Sequence, residues 1–100
     1  MEIIQKEELK KRMESAEKLN LVDVREPDEH AAFNIGGILL PLGKILSGQV
    51  DDLEDFKDQE IICYCRSGQR SMQACLMLES MGFAQVRNLA GGMLAWQADS

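Results

Sequence analysis

The sequence predicts an α/β fold: one domain with a mainly parallel sheet and helices on both of its faces. Three observations predict it. The apolar run Ile61-Ile62-Cys63-Tyr64 is too short for a helix and is bounded by polar residues, as in a strand buried on both faces. Directly after it, the polar loop Cys65-Arg66-Ser67-Gly68-Gln69-Arg70-Ser71 leads into Met72, Cys75, Leu76, Leu78 and Met81, which recur at helical spacing until Gly82. Candidate strands alternate with candidate helices along the rest of the chain, and right-handed crossovers then place helices on both sheet faces.

Residues 2–4 can form a short first strand, and Glu7 to Met13 carry Leu9 and Met13 one turn apart among charges, which predicts an amphipathic helix. Its Lys10-Lys11-Arg12 run reads as a solvated face. Leu19 to Val24 is the second strand, with Asp23 and Arg25 at its C-terminal end, where ligand sites gather in open parallel sheets. Glu26-Pro27-Asp28-Glu29-His30 opens a short helix, proline in the first turn and acids toward its positive end. His30 is the only histidine, and a surface or helix-packing role is expected for it.

Ile38 to Leu40 is a short strand, and Gly43 to Gln49 a loop or short helix. Val50 to Phe56 fits a helix with Leu53 and Phe56 inward and Asp51, Asp52, Glu54 and Asp55 outward. Lys57 to Glu60 turns into the central strand. Ala84 to Leu89 supplies the last strand, and Gly91-Gly92 a tight turn into a final helix, where Trp96 is expected to pack.

One hundred residues suit a single domain, 1–100, without room for separate cofactor and substrate units. The net charge of −6 argues against nucleic acid or an anionic membrane as a partner. No apolar stretch approaches the roughly 18 residues of a membrane span, and Met1 to Lys6 lacks a signal-peptide core, so a cytoplasmic protein is expected. Three cysteines without a disulfide-like framework agree with a reducing compartment. A metal site is not expected, because there is no paired Cys-x-x-Cys and only one histidine.

The chemistry centres on Cys65. A loop between a strand end and a helix start aims several backbone N–H groups at one point, and the helix dipole adds partial positive charge there. With Arg66 and Arg70 beside it, Cys65 is expected to be a thiolate nucleophile, since such surroundings lower a thiol pKa from about 8.5 to roughly 3.5–7.5. Cys63 inside the strand and Cys75 inside the helix are read as packing residues. No histidine base is at hand in the loop, so activation must come from amides, dipole and arginines.

At these residues the chain resembles the rhodanese family, the single-domain sulfurtransferases, whose active loop often reads Cys-Arg-Ser-Gly-x-Arg-Ser. Leu21-Val22-Asp23-Val24-Arg25-Glu26 upstream and Leu89-Ala90-Gly91-Gly92-Met93 with Trp96 downstream match in order and spacing. The resemblance implies a five-stranded sheet in the order 1-5-4-2-3, and a structural role for Asp23 and Arg25 in tying loops together around the site. One segment departs from the pattern: many rhodaneses have Gly-His-Ile-x-Gly-Ala followed by Asn-x-Pro, whereas here Gly36-Gly37-Ile38 reaches Pro41 sooner, along a wall of the substrate pocket.

The reading is a persulfide-forming sulfurtransferase. Cys65 takes a sulfane sulfur from thiosulfate or a related small anionic donor and yields it to a thiol, cyanide or protein acceptor. Arg66 and Arg70 hold the donor, and the loop from Arg66 through Ser67, Gly68, Gln69 and Arg70 to Ser71 forms the binding site. No cofactor is required, and a monomer is expected. One alternative is a protein-partnered persulfide carrier or regulatory module. Another is a cysteine phosphatase or arsenate reductase, but the related dual-specificity phosphatases place five residues between Cys and Arg, and here four separate Cys65 from Arg70.

Overall fold

Side chains alternate along a strand, and in this computed structural model, which describes residues 1–98, that alternation at β4 (Glu60–Tyr64) divides the core in two. Ile61 and Cys63, continued by Cys65, enter one apolar cluster, and Ile62 and Tyr64 enter the other. All five are fully buried, which only a central strand covered on both faces allows. Burying each large aliphatic side chain contributes roughly 1.5–3 kcal/mol, so β4 is the strand most tightly bound to its surroundings.

The other strands are β1 (Glu2–Ile4), β2 (Leu21–Asp23), β3 (Ile38–Leu39) and β5 (Gln85–Leu89). The sheet order is β1-β5-β4-β2-β3, as the resemblance implies, and every pairing is parallel where a mainly parallel sheet is expected. The register aligns Val22 with Cys63 and Asp23 with Tyr64 on one side of β4, and Cys63 with Asn88 on the other. β2 is shorter than the expected Leu19–Val24, because the chain enters and leaves it through single bonds: Ile62 N–H to the Asn20 carbonyl and Val24 N–H to the Tyr64 carbonyl.

The helices are α1 (Lys6–Glu14), α2 (Pro27–Ala32), α3 (Leu42–Leu46), α4 (Gln69–Ser80) and α5 (Gly92–Gln97). Ile45 of α3 and Ala74, Cys75 and Leu78 of α4 cover one sheet face, with Leu53. Leu9 of α1 and Met93 of α5 cover the other, with Trp96 packed against them. No helix among the described residues is long and apolar enough to cross a membrane.

Three local expectations change. Asp51–Phe56 is a 3-10 helix rather than an α-helix, although Leu53 is buried as expected. Met72 and Leu76, read as part of the apolar face of α4, are 39% and 54% exposed. Nor is the Lys10-Lys11-Arg12 run wholly solvated: the Arg12 guanidinium pairs with Glu17 and with Glu60 of β4, and the Lys10 ammonium lies 4.9 Å from the Trp96 ring centre.

Candidate active site

Cys65 follows β4 directly, so the rigidity of the central strand fixes where its sulfur sits. The chain then has to reverse within a few residues to start α4, and Gly68, at φ +100°, supplies a conformation that L side chains rarely adopt. The resulting curl puts the Gly68 N–H 3.0 Å and the Ser71 N–H 3.4 Å from Cys65 Sγ, with the Ser71 hydroxyl also at 3.4 Å.

The loop carbonyls are held from behind. The first turn of α5 donates Met93 N–H to the Cys65 carbonyl and Leu94 N–H to the Arg66 carbonyl, both at 2.9 Å. With those carbonyls turned outward, the loop amides turn in toward the sulfur. The approach is so close that a Cβ on Gly92 would lie 2.4 Å from the Cys65 oxygen and 2.7 Å from the Arg66 oxygen.

Two opposing effects set the Cys65 thiol. Burial raises its pKa and is the largest influence, yet the thiol still lies below its ordinary value, because the Ser71 hydroxyl and the N–H groups of Ser71, Gly68 and Ser67 favour the thiolate. Cys63 moves the other way: its contact with Cys75, together with burial, raises its thiol pKa well above the usual range. All three cysteines are free.

The two loop arginines differ from the sequence expectation of a shared role. Arg70 makes a bidentate pair with Glu29 of α2, both contacts 2.8 Å, and this pair holds the Glu29 carboxyl down at about 2 despite some desolvation. Its charge is therefore already matched. Arg66 is exposed, and its side chain has no hydrogen bond or ion pair among the described residues. The main groups that favour the thiolate are amides and a hydroxyl, and the Arg70 charge adds a weaker attraction across the loop. Ser67 and Gln69 are exposed on the rim.

Asp23 and Arg25 lie beside this loop but hydrogen-bond to each other, not to Cys65. The fully buried Asp23 accepts Arg25 N–H at 3.0 Å, Nε at 2.9 Å and Nη2 at 2.8 Å, and its Oδ2 lies 2.8 Å from His30 Nδ1. Burial raises the Asp23 pKa, but Arg25 and His30 outweigh it and the carboxyl sits below its usual range. Arg25 Nη2 also donates to the Phe33 carbonyl at 2.6 Å. Tyr64, pushed up to about 12 mainly by burial, donates its hydroxyl to the Gly36 carbonyl at 2.9 Å. This hub ties the shortened 34–41 segment to the sheet edge.

Sequence reasoning missed three residues here. Glu29, seen only as a helix-start acid, and His30, expected at the surface or in helix packing, connect α2 to Arg70 and Asp23. Asn88, which shares the inward face of β5 with Val86, is 97% buried and reaches both Gly68 and Ser71. An inward-facing polar position in a buried strand was the available signal.

A parallel sheet with a cysteine at the end of its central strand, set in a ring of inward amides, defines a class of α/β domains built around one thiol. Within that class, the chain belongs to the rhodanese-like family, whose domain model matches residues 5–99. It is 42% identical to a sulfurtransferase of Allochromatium vinosum over 93% of this chain and 85% of that protein. It is 38% identical to the putative sulfurtransferase YtwF of Bacillus subtilis, covering 92% and 86% of the two chains. Its fold matches a rhodanese-like protein from Staphylococcus aureus with a TM-score of 0.82 at 30% identity, over 100% of this chain and 95% of that one. The function is accordingly of the sulfurtransferase type.

Proposed function

We propose that the chain moves a sulfane sulfur from thiosulfate or a related anionic donor to a thiol, cyanide or protein acceptor through a persulfide on Cys65. The Cys65 thiolate attacks the donor's outer sulfur; a Cys65 sulfur–sulfur bond forms, the donor's own breaks, and sulfite leaves with the electron pair. An acceptor thiolate then attacks the outer sulfur, and the pair returns to Cys65. The observation that carries this reading is the amide ring: Gly68 N–H at 3.0 Å and Ser71 N–H at 3.4 Å favour a negative sulfur.

Arg66, exposed at the rim, is the cation available to the donor's anionic group, and Arg70 joins it only by leaving Glu29. Intact mass after thiosulfate exposure tests the proposal: wild type gains one sulfur that a reducing agent removes, and Cys65→Ser gains none. Cys65-dependent hydrolysis of an aryl phosphate without sulfur loading would replace this reading with the phosphatase.

A second reading, a carrier that exchanges sulfur with one protein partner, is favoured by the loop's surroundings. Ile3, Met72 and Leu76, all large and exposed, line a groove with Ser67, Gly68 and Gln69. The chain is also 35% identical to a putative sulfur carrier protein of Bacillus subtilis, of which it spans 48%. A carrier loads from a protein persulfide far faster than from thiosulfate, and a free enzyme does not.

A further inference from the structure

The Ser71 hydroxyl has one proton and two neighbours that could take it. Cys65 Sγ lies 3.4 Å from the hydroxyl oxygen, and Asn88 Oδ1 lies 2.5 Å from it. The Asn88 amide cannot be turned the other way, because its Nδ2 donates to the Gly68 carbonyl at 3.0 Å and a carbonyl can only accept. Two oxygens at 2.5 Å require a proton between them, and an amide oxygen has none. The proton therefore belongs to Ser71 and points at Asn88, which leaves the hydroxyl's lone pairs facing the sulfur.

We propose that Asn88 is a positioning residue for Cys65: it withholds the Ser71 proton from the sulfur while the thiol is protonated and releases it when the thiolate forms. In the first arrangement the Cys65 S–H donates to Ser71 Oγ, which donates to Asn88. In the second the hydroxyl turns to donate to the sulfur, and Asn88 Oδ1, 3% exposed with its residue, loses its partner. Losing a buried acceptor's bond is costly, so the amide opposes ionisation that the loop N–H groups favour.

The consequence for catalysis rests on the persulfide reading above. Cys65 must attack a donor sulfur and later leave from its own persulfide; a thiolate of lower pKa leaves faster and attacks less strongly. A hydroxyl with two positions serves both steps. Turned to Asn88 it leaves the sulfur alone while Cys65 is a thiol or carries the outer sulfur, and turned to Cys65 it holds the thiolate that attacks the donor and the electron pair that returns when the acceptor takes the outer sulfur.

The surrounding ionisable groups are Cys63 of β4, Cys75 of α4, and Arg70 of α4 with its Glu29 partner from α2; Arg66 is at the rim. None of these is altered in the test. The pH dependence of iodoacetamide alkylation, read on the Cys65 peptide by mass, gives the thiol pKa in wild type, Asn88→Ala, Ser71→Ala and the double variant. Asn88→Ala should lower that pKa by about 0.5–1 unit, the size of one neutral hydrogen bond to the thiolate, and should have no such effect once Ser71 is Ala. A rise, no change, or an equal fall in the Ser71→Ala background would overturn the proposal.

A measurement on the wild type does not depend on the variants folding. The carbon-13 resonance of the Asn88 side-chain carbonyl should titrate with Cys65, and an invariant resonance would equally overturn it. Both readouts report the thiol itself, so failure of sulfur loading would remove the persulfide reading while leaving the role of Asn88 to be decided by the titrations.

Discussion

Two strands end side by side at the C-terminal edge of the sheet, and their last residues are treated in opposite ways. After β4, Cys65 is surrounded by neutral donors: loop N–H groups and one hydroxyl. At the end of β2, Asp23 is surrounded by Arg25 and His30. The Arg25 guanidinium and the His30 ring close the hub completely, so Asp23 has no lone pair turned to a substrate. The partial charges favour an anion without neutralising it, so Cys65 keeps its nucleophilic electron pair. At this edge, ion pairs hold the β2 end together, and amide dipoles surround the sulfur that the proposed reaction uses.

The largest expected effect separates the two regions by what fails. Cys65→Ser should fold normally and lose sulfur loading altogether, whereas Cys63→Ser and Cys75→Ser should load if they fold. Asp23→Ala should leave Arg25 buried without its partner and cost about 3–5 kcal/mol of stability, measured by urea denaturation. A Cys65→Ser variant that still loads, or an Asp23→Ala variant with a wild-type midpoint, would break the comparison.

Acid gives a smaller, signed effect. The Glu29 carboxyl is held at about 2 by Arg70, and Asp23 is lowered too. A lowered carboxyl stabilises the fold above its unfolded pKa of about 4, and that stability is lost as pH falls toward the folded value. Glu29→Gln should therefore flatten part of the decline in stability between pH 4 and 2, as estimated from carboxyl pKa values. The same variant frees Arg70, so the KM for thiosulfate should fall severalfold with kcat little changed. An unchanged KM would show that Arg70 faces away from the donor.

Much of the fold was legible because hydrophobic pattern is local. The run Ile61 to Tyr64 marks the central strand, and the Gly68 turn before Met72 marks the start of the long helix. Pattern alone erred at α4, where helical spacing grouped the exposed Met72 and Leu76 with the buried Cys75 and Leu78. Spacing reports a face but not what covers it. In the site, Cys65 and its amides were legible since strand, loop and helix are contiguous. The Arg70–Glu29 pair was not, because its partners are 41 residues apart and only the packing of α2 over the loop joins them. Asn88 was hidden for the same reason, 17 residues from Ser71 on the next strand.

The central claim is that backbone geometry, more than arginine charge, lowers the Cys65 thiol pKa. It is tested most directly by the alkylation pKa of Cys65 in Gly92→Ala and Arg66→Ala. The Gly92 Cβ would collide with the Cys65 and Arg66 carbonyls and displace the amide ring from a position 27 residues away, while Arg66→Ala removes a full charge and leaves the ring intact. The account predicts a rise of about one unit or more in folded Gly92→Ala, and a shift of less than about half a unit in Arg66→Ala. A larger rise in Arg66→Ala than in Gly92→Ala would contradict it.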